Sequence, residues 1–176
     1  RTRRPRERLG RGSRDARGLA ILTVVKGGFV WTAKIGSGVV VTRTAHGWSG
    51  PSFIRTAGAG FGAQIGGEVT ELVLVLNTPE AVKAFSGDGN VTLGGNLSVA
   101  AGPLGRSASA SVTRKAAVYS YSRSQGLYAG ASLEGTVIST HKKSNTRYYH
   151  REVSSQRILA GLIEPPAGAA RLLSKL

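Results

Sequence analysis

The chain has 176 residues, of which 40% are hydrophobic, so it can form one domain with a sizeable core. It contains no cysteine, which excludes disulfides and thiolate chemistry, and no apolar run approaches the roughly 18 residues of a spanning helix. The formal net charge of +15 points to polyanionic partners: phospholipid head groups, nucleic acid or an acidic protein surface. Since methionine is absent, we expect a processed or partial form of a longer chain.

Residues 1–15 are predicted to form a basic, flexible arm. Arginine dominates this segment, Leu9 is its one large apolar residue, and Gly10 and Gly12 disfavour a helix. An arginine-rich start also fits the end of an organellar transit peptide, so an organellar location stays open. A single domain is predicted over residues 16–176.

The first half of this domain is predicted to be β structure. Apolar or alternating runs predict strands, and a turn is predicted at His46–Trp48. The predicted strands are Leu19–Val25, Phe29–Ala33, Ile35–Thr42, Ser52–Thr56 and Gly67–Leu76. The last is apolar on both faces near its end, which favours a central position in a sheet. Residues Ala57–Ile65 are small and read as a flexible segment.

Residues Gly87–Arg106 carry the clearest strand pattern of the second half. From Val91 to Ala101 apolar side chains recur at every second position, with Gly94 and Gly95 marking a bulge or bend. Further strands are predicted at Ser107–Thr113, Ala117–Ser122 and Leu127–Ile138. Helices are predicted near 78–86, 154–160 and 167–175 from their capping residues and apolar stripes. The predicted fold is mainly β (α+β): an antiparallel, glycine-rich β-sandwich or barrel-like sheet with short flanking helices.

Candidate catalytic groups do not assemble in the sequence. His46, His141 and His150 are far apart and lack metal-ligand spacing with carboxylates. Glu68 and Glu71 fall on opposite faces of one predicted strand, so they form a poor acid–base pair. We therefore predict no enzyme activity, no catalytic or metal-binding residues and no cofactor. A hydrolase built from residues distant in sequence stays open.

Basic residues cluster near the two ends of the chain, and these clusters are the predicted anion-binding sites. The candidate lipid- or phosphate-binding residues are Arg14, Arg17, Lys26, Lys34, Lys142, Lys143, Arg147 and Arg151. Among these clusters only Tyr148 and Tyr149 interleave aromatics with basic residues, so nucleic acid is the less favoured partner. Residues 62–101 carry mostly acidic charge and are expected to face away from a membrane.

Several motifs in order along the chain carry a resemblance to a known family. They are Ala16–Ile21, Ile35–Val41, Gly58–Gly67, Val73–Asn77, Leu93–Arg106, Tyr119–Ser122, Gly126–Gly135, Arg147–Tyr149 and Ile158–Leu159. With these motifs the chain resembles the SYLF domain family, whose members occur alone or beside SH3 or FYVE domains, over roughly residues 16–175.

The resemblance implies a non-enzymatic module that binds phosphoinositides and other anionic lipids. It also implies peripheral membrane association or membrane trafficking in the cytoplasm, with a link to actin. The sequence departs from the family upstream of Ala16, where glycines and arginines replace most of the apolar face of an amphipathic helix. One alternative stays open: a structural or accessory subunit of a large assembly, with basic tails that bind acidic partners.

Overall fold

The computed structural model describes residues 16–61, 66–87, 90–93, 99–101, 117–122 and 135–176. Within these residues the chain forms strands β1 to β9, helices α1 to α4 and one short 3₁₀ turn at Ala167–Ala169. The strands are β1 Gly18–Gly28, β2 Trp31–Thr44, β3 Gly47–Trp48, β4 Ser52–Phe61, β5 Gly66–Leu76, β6 Val91–Thr92, β7 Val99–Ala101, β8 Val118–Ser122 and β9 Val137–Thr140. The helices are α1 Pro79–Ser86, α2 Lys142–Tyr149, α3 Ser155–Leu159 and α4 Ala170–Leu173.

The described strands form one sheet in the order β6-β9-β4-β2-β1-β5-β8-β7, with β3 paired to β2. Every pairing is antiparallel except β7 with β8. Neighbouring strands lie about 4.8 Å apart, so a flat sheet would separate β6 from β7 by about 34 Å. The six steps from Leu93, beside β6, to Val99 reach at most about 21 Å. The sheet therefore curls into a half-barrel, and the predicted mainly β, antiparallel fold with a barrel-like sheet is confirmed.

The inner face of the sheet carries the main core. Its buried side chains are Ala20, Leu22, Val24, Val40, Ile54, Leu72, Leu74, Leu76, Val91, Leu93, Val118 and Ile138. Ala81 and Phe85 of α1 and Leu159 of α3 pack against this face. Residues of even number on β1 point inward, as period-two alternation requires.

Among the described residues, the outer face carries a second, smaller core at one end. Leu19, Val41 and Val75 are buried there beside Ala16 and Tyr119. The C-terminal residues Leu172, Leu173 and Leu176, together with Trp48, pack against them. We call this end of the sheet, which holds Gly18, Thr42 and Leu76, the base. The opposite end, which holds Gly28, Trp31 and Gly66, is the tip.

The predicted helices are confirmed, and α1 begins as expected. Thr78 caps α1, since its hydroxyl accepts a hydrogen bond from the backbone N–H of Ala81 at 3.1 Å, and Pro79 occupies the first turn. Ser154 caps α3 in the same way through the N–H of Arg157. The turn predicted at His46–Trp48 is correct only at His46: Ala45 and His46 form the turn between β2 and β3, and Gly47 and Trp48 belong to β3.

Three sequence predictions need correction. Residues Phe29 and Val30 lie in the turn between β1 and β2 and not in a strand, and β2 is continuous from Trp31. Residues 57–61, read as flexible, belong to β4, where Gly58 and Gly60 lie opposite Lys34 and Thr32. Helix α2 was not predicted at all.

Other predictions fall wholly or partly outside the described residues. The strand predicted from Val91 to Ala101 has its described ends at opposite edges of the sheet, in β6 and β7, and residues 94–98 lie outside the description. The arm at 1–15, the strand at 107–113 and residues 127–134 also lie outside it.

Candidate functional site

Helix α2 is fixed to the sheet by a buried polar side chain and a tyrosine one turn apart. Asn145 is fully buried: its Oδ1 accepts from the backbone N–H of Phe53 at 2.7 Å and its Nδ2 donates to Ser52 Oγ at 3.2 Å. The hydroxyl of Tyr149 donates to the carbonyl of Pro51 at 2.7 Å. Burial and the neighbouring Tyr148 raise the pKa of Tyr149, so its hydroxyl stays a donor even at a pH where an exposed tyrosine would ionise. These hydrogen bonds therefore hold α2 against the start of β4.

Four basic residues are exposed on α2 or just after it. Lys142, Lys143, Arg147 and Arg151 all lie exposed on this helix or just after it. The first turn contains no acidic residue, and the side chain of His141 at the N-cap accepts no hydrogen bond from a backbone N–H of the helix; its Nδ1 instead lies 2.6 Å from the Oγ of Ser144. Lysines at a helix N-terminus oppose the helix dipole and cost roughly 0.3–1 kcal/mol each. The helix dipole therefore does not favour lysine at positions 142 and 143.

A second basic pair lies at the tip. Lys26 on β1 and Lys34 on β2 are directly opposite each other in the register, and both are half-buried. Like charges directly opposite on neighbouring strands destabilise a sheet. Burial, and secondarily the charge of Lys26, lower the pKa of Lys34 below its ordinary value. Glu68 of β5 is the other cross-strand partner of Lys26.

The predicted basic residues do not form one patch. Arg17 lies at the base, where its backbone pairs with Leu76 and Arg43, while Lys26 lies nine residues along the same strand, about 30 Å away. Helix α2 starts beside Phe53, whereas Lys34 pairs with Gly58, about 17 Å further along β4. Arg14 lies outside the described residues. The structure therefore groups Lys142, Lys143, Arg147 and Arg151 on α2, and Lys26 with Lys34 at the tip.

The tip also carries exposed apolar side chains, which the sequence reasoning missed. Phe29, Val30 and Trp31 in and beside the β1–β2 turn are 57–68% exposed. Val25, Ile35 and Val69 on the outer face are 51–67% exposed. One signal was available: hairpin turns favour glycine, asparagine and aspartate, so the run Phe-Val-Trp after Gly27-Gly28 is unusual in a turn.

The described residues offer little that resembles a catalytic or metal site. They contain no group of three histidine, aspartate or glutamate side chains that could hold a metal ion. An open, shallow depression lies on the outer face of the sheet between Val25 and Ile35. None of the helices in this part of the chain has the length and hydropathy needed to cross a membrane.

An exposed basic helix and an exposed apolar tip are features of a domain that binds other surfaces. The chain belongs to the Ysc84 family of SYLF domains. The family model, described as "Ysc84: Las17-binding protein actin regulator", matches residues 57–176. No solved structure matches the chain.

Similar proteins occur in yeast and mammals. The chain is 51% identical over 156 residues to LAS seventeen-binding protein 3 of Saccharomyces cerevisiae, covering 86% of the chain and 34% of the relative. It is 49% identical over 160 residues to SH3 domain-containing YSC84-like protein 1 of Homo sapiens, covering 89% of the chain and 47% of the relative. The chain thus spans a third to a half of these curated relatives, and none of these names is that of an enzyme.

Proposed function

We propose that the chain is a non-enzymatic module that binds anionic lipids, phosphoinositides above all, and places an actin-regulating protein at the cytoplasmic face of membranes. The observation that carries this proposal is the exposed basic face of α2: Lys142, Lys143, Arg147 and Arg151. Two of these residues, Lys142 and Lys143, oppose the helix dipole, so the dipole does not account for their position. Each basic residue near an anionic surface contributes about 1 kcal/mol of attraction, which falls as salt rises.

The test is co-sedimentation with phosphatidylcholine vesicles containing a phosphoinositide, at physiological salt. Reversing Lys142, Lys143, Arg147 and Arg151 to glutamate should abolish sedimentation with these vesicles. Glutamate suits the helix dipole at positions 142 and 143 but opposes it at positions 147 and 151. The far-UV circular dichroism of the variant must therefore match that of the parent before the loss of binding is assigned to the site.

A control variant carries the same charge change on other exposed residues. It reverses Lys83, Arg157, Arg171 and Lys175 to glutamate. We expect this variant to keep most of its vesicle binding. Equal loss in the two variants would mean that total charge matters and that α2 is not the site.

The names of the relatives favour a second candidate, in which the same basic face binds an acidic protein of the actin machinery. The family description names Las17 binding and actin regulation. Co-sedimentation with actin filaments tests this alternative. Binding to filaments, without binding to vesicles, would favour a protein-binding role in a larger assembly over the lipid module.

A further inference from the structure

Two matched rows of apolar residues cross the outer face of the sheet. At the base, Val75, Leu19 and Val41 are cross-strand neighbours on β5, β1 and β2, and each is at most 5% exposed. Six residues toward the tip, Val69, Val25 and Ile35 occupy the same three strands and the same face, yet each is more than half exposed. The base row is covered by the C-terminal residues, whereas the tip row has no such cover within the described residues.

A sharp polar boundary separates the tip row from the rest of the outer face. Glu71, Thr23, Ser37 and Arg55 lie side by side across β5, β1, β2 and β4, and all are exposed. The next row toward the tip has only valine, isoleucine and alanine at these strands, and the row after it has only glycine and alanine. The outer face therefore changes from polar to apolar within one step of the strand alternation.

The β1–β2 turn extends this apolar surface to the end of the hairpin. Gly28 has φ +152°, and a Cβ there would lie 1.8 Å from the carbonyl oxygen of Trp31, so the turn is tight. Phe29, Val30 and Trp31 consequently project at its end. With the tip row they form six large apolar side chains, each more than half exposed, and a contiguous patch of this kind marks a site for a partner.

We propose that the hairpin tip inserts into the membrane interface, with the row of Glu71, Thr23, Ser37 and Arg55 remaining in water. This inference rests on the proposed lipid-binding function and adds an apolar contact to it. From the turn to the tip row is about 13 Å along the strands, which is more than the 5–10 Å depth to which interfacial apolar surfaces are buried, so the turn would lie deepest and the tip row near the level of the head groups.

The charges around the tip favour lipid over another apolar partner. Lys26 and Lys34 lie on the inner face within the last rows of the hairpin, at the level where lipid phosphates would lie once the turn is inserted. Tryptophan and phenylalanine at the end of the turn suit the interface, and long basic side chains reach from an apolar surface to phosphates. The nearest described acidic side chain on the outer face is Glu71, beyond the tip row. Residues 62–101, expected from their charge to face away from a membrane, thus supply Val69 to the inserted surface.

The two tryptophans provide a direct test in the whole chain. Trp31 is 64% exposed at the tip, while Trp48 is half-buried at the base under the guanidinium of Arg43. Trp48→Phe leaves Trp31 as the reporter, and Trp31→Phe leaves Trp48. With vesicles of phosphatidylcholine, phosphatidylserine and a phosphoinositide, Trp31 emission should shift to the blue and be quenched by lipids brominated near the head of the acyl chain. Trp48 emission should change little.

Binding measurements separate this inference from the proposed function. Phe29→Ser should weaken vesicle binding about tenfold, since burying one such side chain contributes at least that factor, and this loss should persist at high salt. If the parent chain does not sediment with vesicles, the proposed function fails. If it sediments while Trp31 emission stays unchanged and Phe29→Ser binds as tightly as the parent, the insertion alone is overturned.

Acrylamide quenching without vesicles tests the other occupants of the tip. We expect acrylamide to quench Trp31 efficiently in the free protein. If acrylamide quenches Trp31 poorly and light scattering gives a doubled mass, a second copy of the chain covers the tip. If quenching is poor and the mass is unchanged, another segment of the same chain covers it. Either result would overturn the proposal.

Discussion

The base and the tip of the sheet are built from the same strands with the same kind of side chain, yet only the base is covered. Val75, Leu19 and Val41 bury their side chains under Leu172 and Leu173 near the end of the chain. Their counterparts six residues away remain in contact with water. This difference shows that a row of apolar side chains across a sheet does not by itself form a core. The row becomes buried only where another element packs over it, and at the tip we propose that a lipid surface does so.

The largest expected change in the free energy of unfolding comes from replacing a glycine at which two strands approach closely. A Cβ on Gly38 would lie 2.0 Å from the carbonyl oxygen of Ile21, whereas a Cβ on Gly27 at the tip would meet nothing within 4 Å. Gly38→Ala should therefore lower the free energy of unfolding by about 3 kcal/mol, and Gly27→Ala should leave it unchanged or slightly raised. Urea denaturation measures both. Equal effects of the two substitutions would mean that the tip is as tightly packed as the middle of the sheet.

A smaller change in the free energy of unfolding is expected from replacing either of two valines on β5. Val75→Ala removes buried methyl groups at the base and should cost about 2 kcal/mol, while Val69→Ala at the tip should stay within about 0.5 kcal/mol. For vesicle binding the order of the two effects should reverse: Val69→Ala should weaken binding, and Val75→Ala should not. Thermal unfolding and co-sedimentation on the same two proteins measure this reversal. A large loss of stability in Val69→Ala would show that the tip row is already covered in the free protein.

The smallest effect concerns the pH dependence of stability at the tip. Because the pKa of Lys34 is lowered in the folded protein, the unfolded chain binds more protons between that lowered pKa and 10.5. The contribution of Lys34 to the free energy of unfolding should thus rise with pH through this window, by about 0.3 kcal/mol since the side chain is only half-buried. It is measured as the difference between the parent and Lys34→Gln, because tyrosines of raised pKa titrate in the opposite sense near pH 10. The rise should be absent in Lys34→Gln and retained in Lys143→Gln, as followed by urea denaturation. A rise of the same size in Lys34→Gln would assign it to another group.

Much of the fold could be predicted from local patterns. The apolar run of β1, the alternation of β2 and the two-sided apolar end of β5 follow from short-range spacing, and the caps at Thr78 and Ser154 follow from residue type. Helix α2 could not be found this way. Its sequence KKSNTRYY buries only Asn145 and Tyr149, and its contacts are made to Pro51, Ser52 and Phe53, far away in the chain.

The candidate site was predictable only in part. The basic residues of α2 were visible as a charge cluster, although the distance between them and Lys26 was not, because it depends on the register of β1, β2 and β4. The apolar tip was not predicted, since Val25 and Ile35 follow the same strand pattern as Leu19 and Val41. Whether a helix from the end of the chain reaches such a row is a property of the tertiary fold and not of the period of the strand.

The pairing of β4 with β9 has a consequence for how this domain folds during its synthesis on the ribosome. Ile54–Ala57 pair with β2 on one side, but on the other side their partners are Val137–Thr140, which are synthesised much later. Strands β1, β2 and β5 can pair as soon as Leu76 has emerged. At typical rates of synthesis this leaves the backbone N–H and C=O groups at one edge of β4 unpaired for on the order of ten seconds. An unpaired edge is a template for a strand of another chain. The nascent domain is therefore most exposed to misassembly in this interval, and a chaperone that shields β4 until β9 arrives would raise the yield of folded protein.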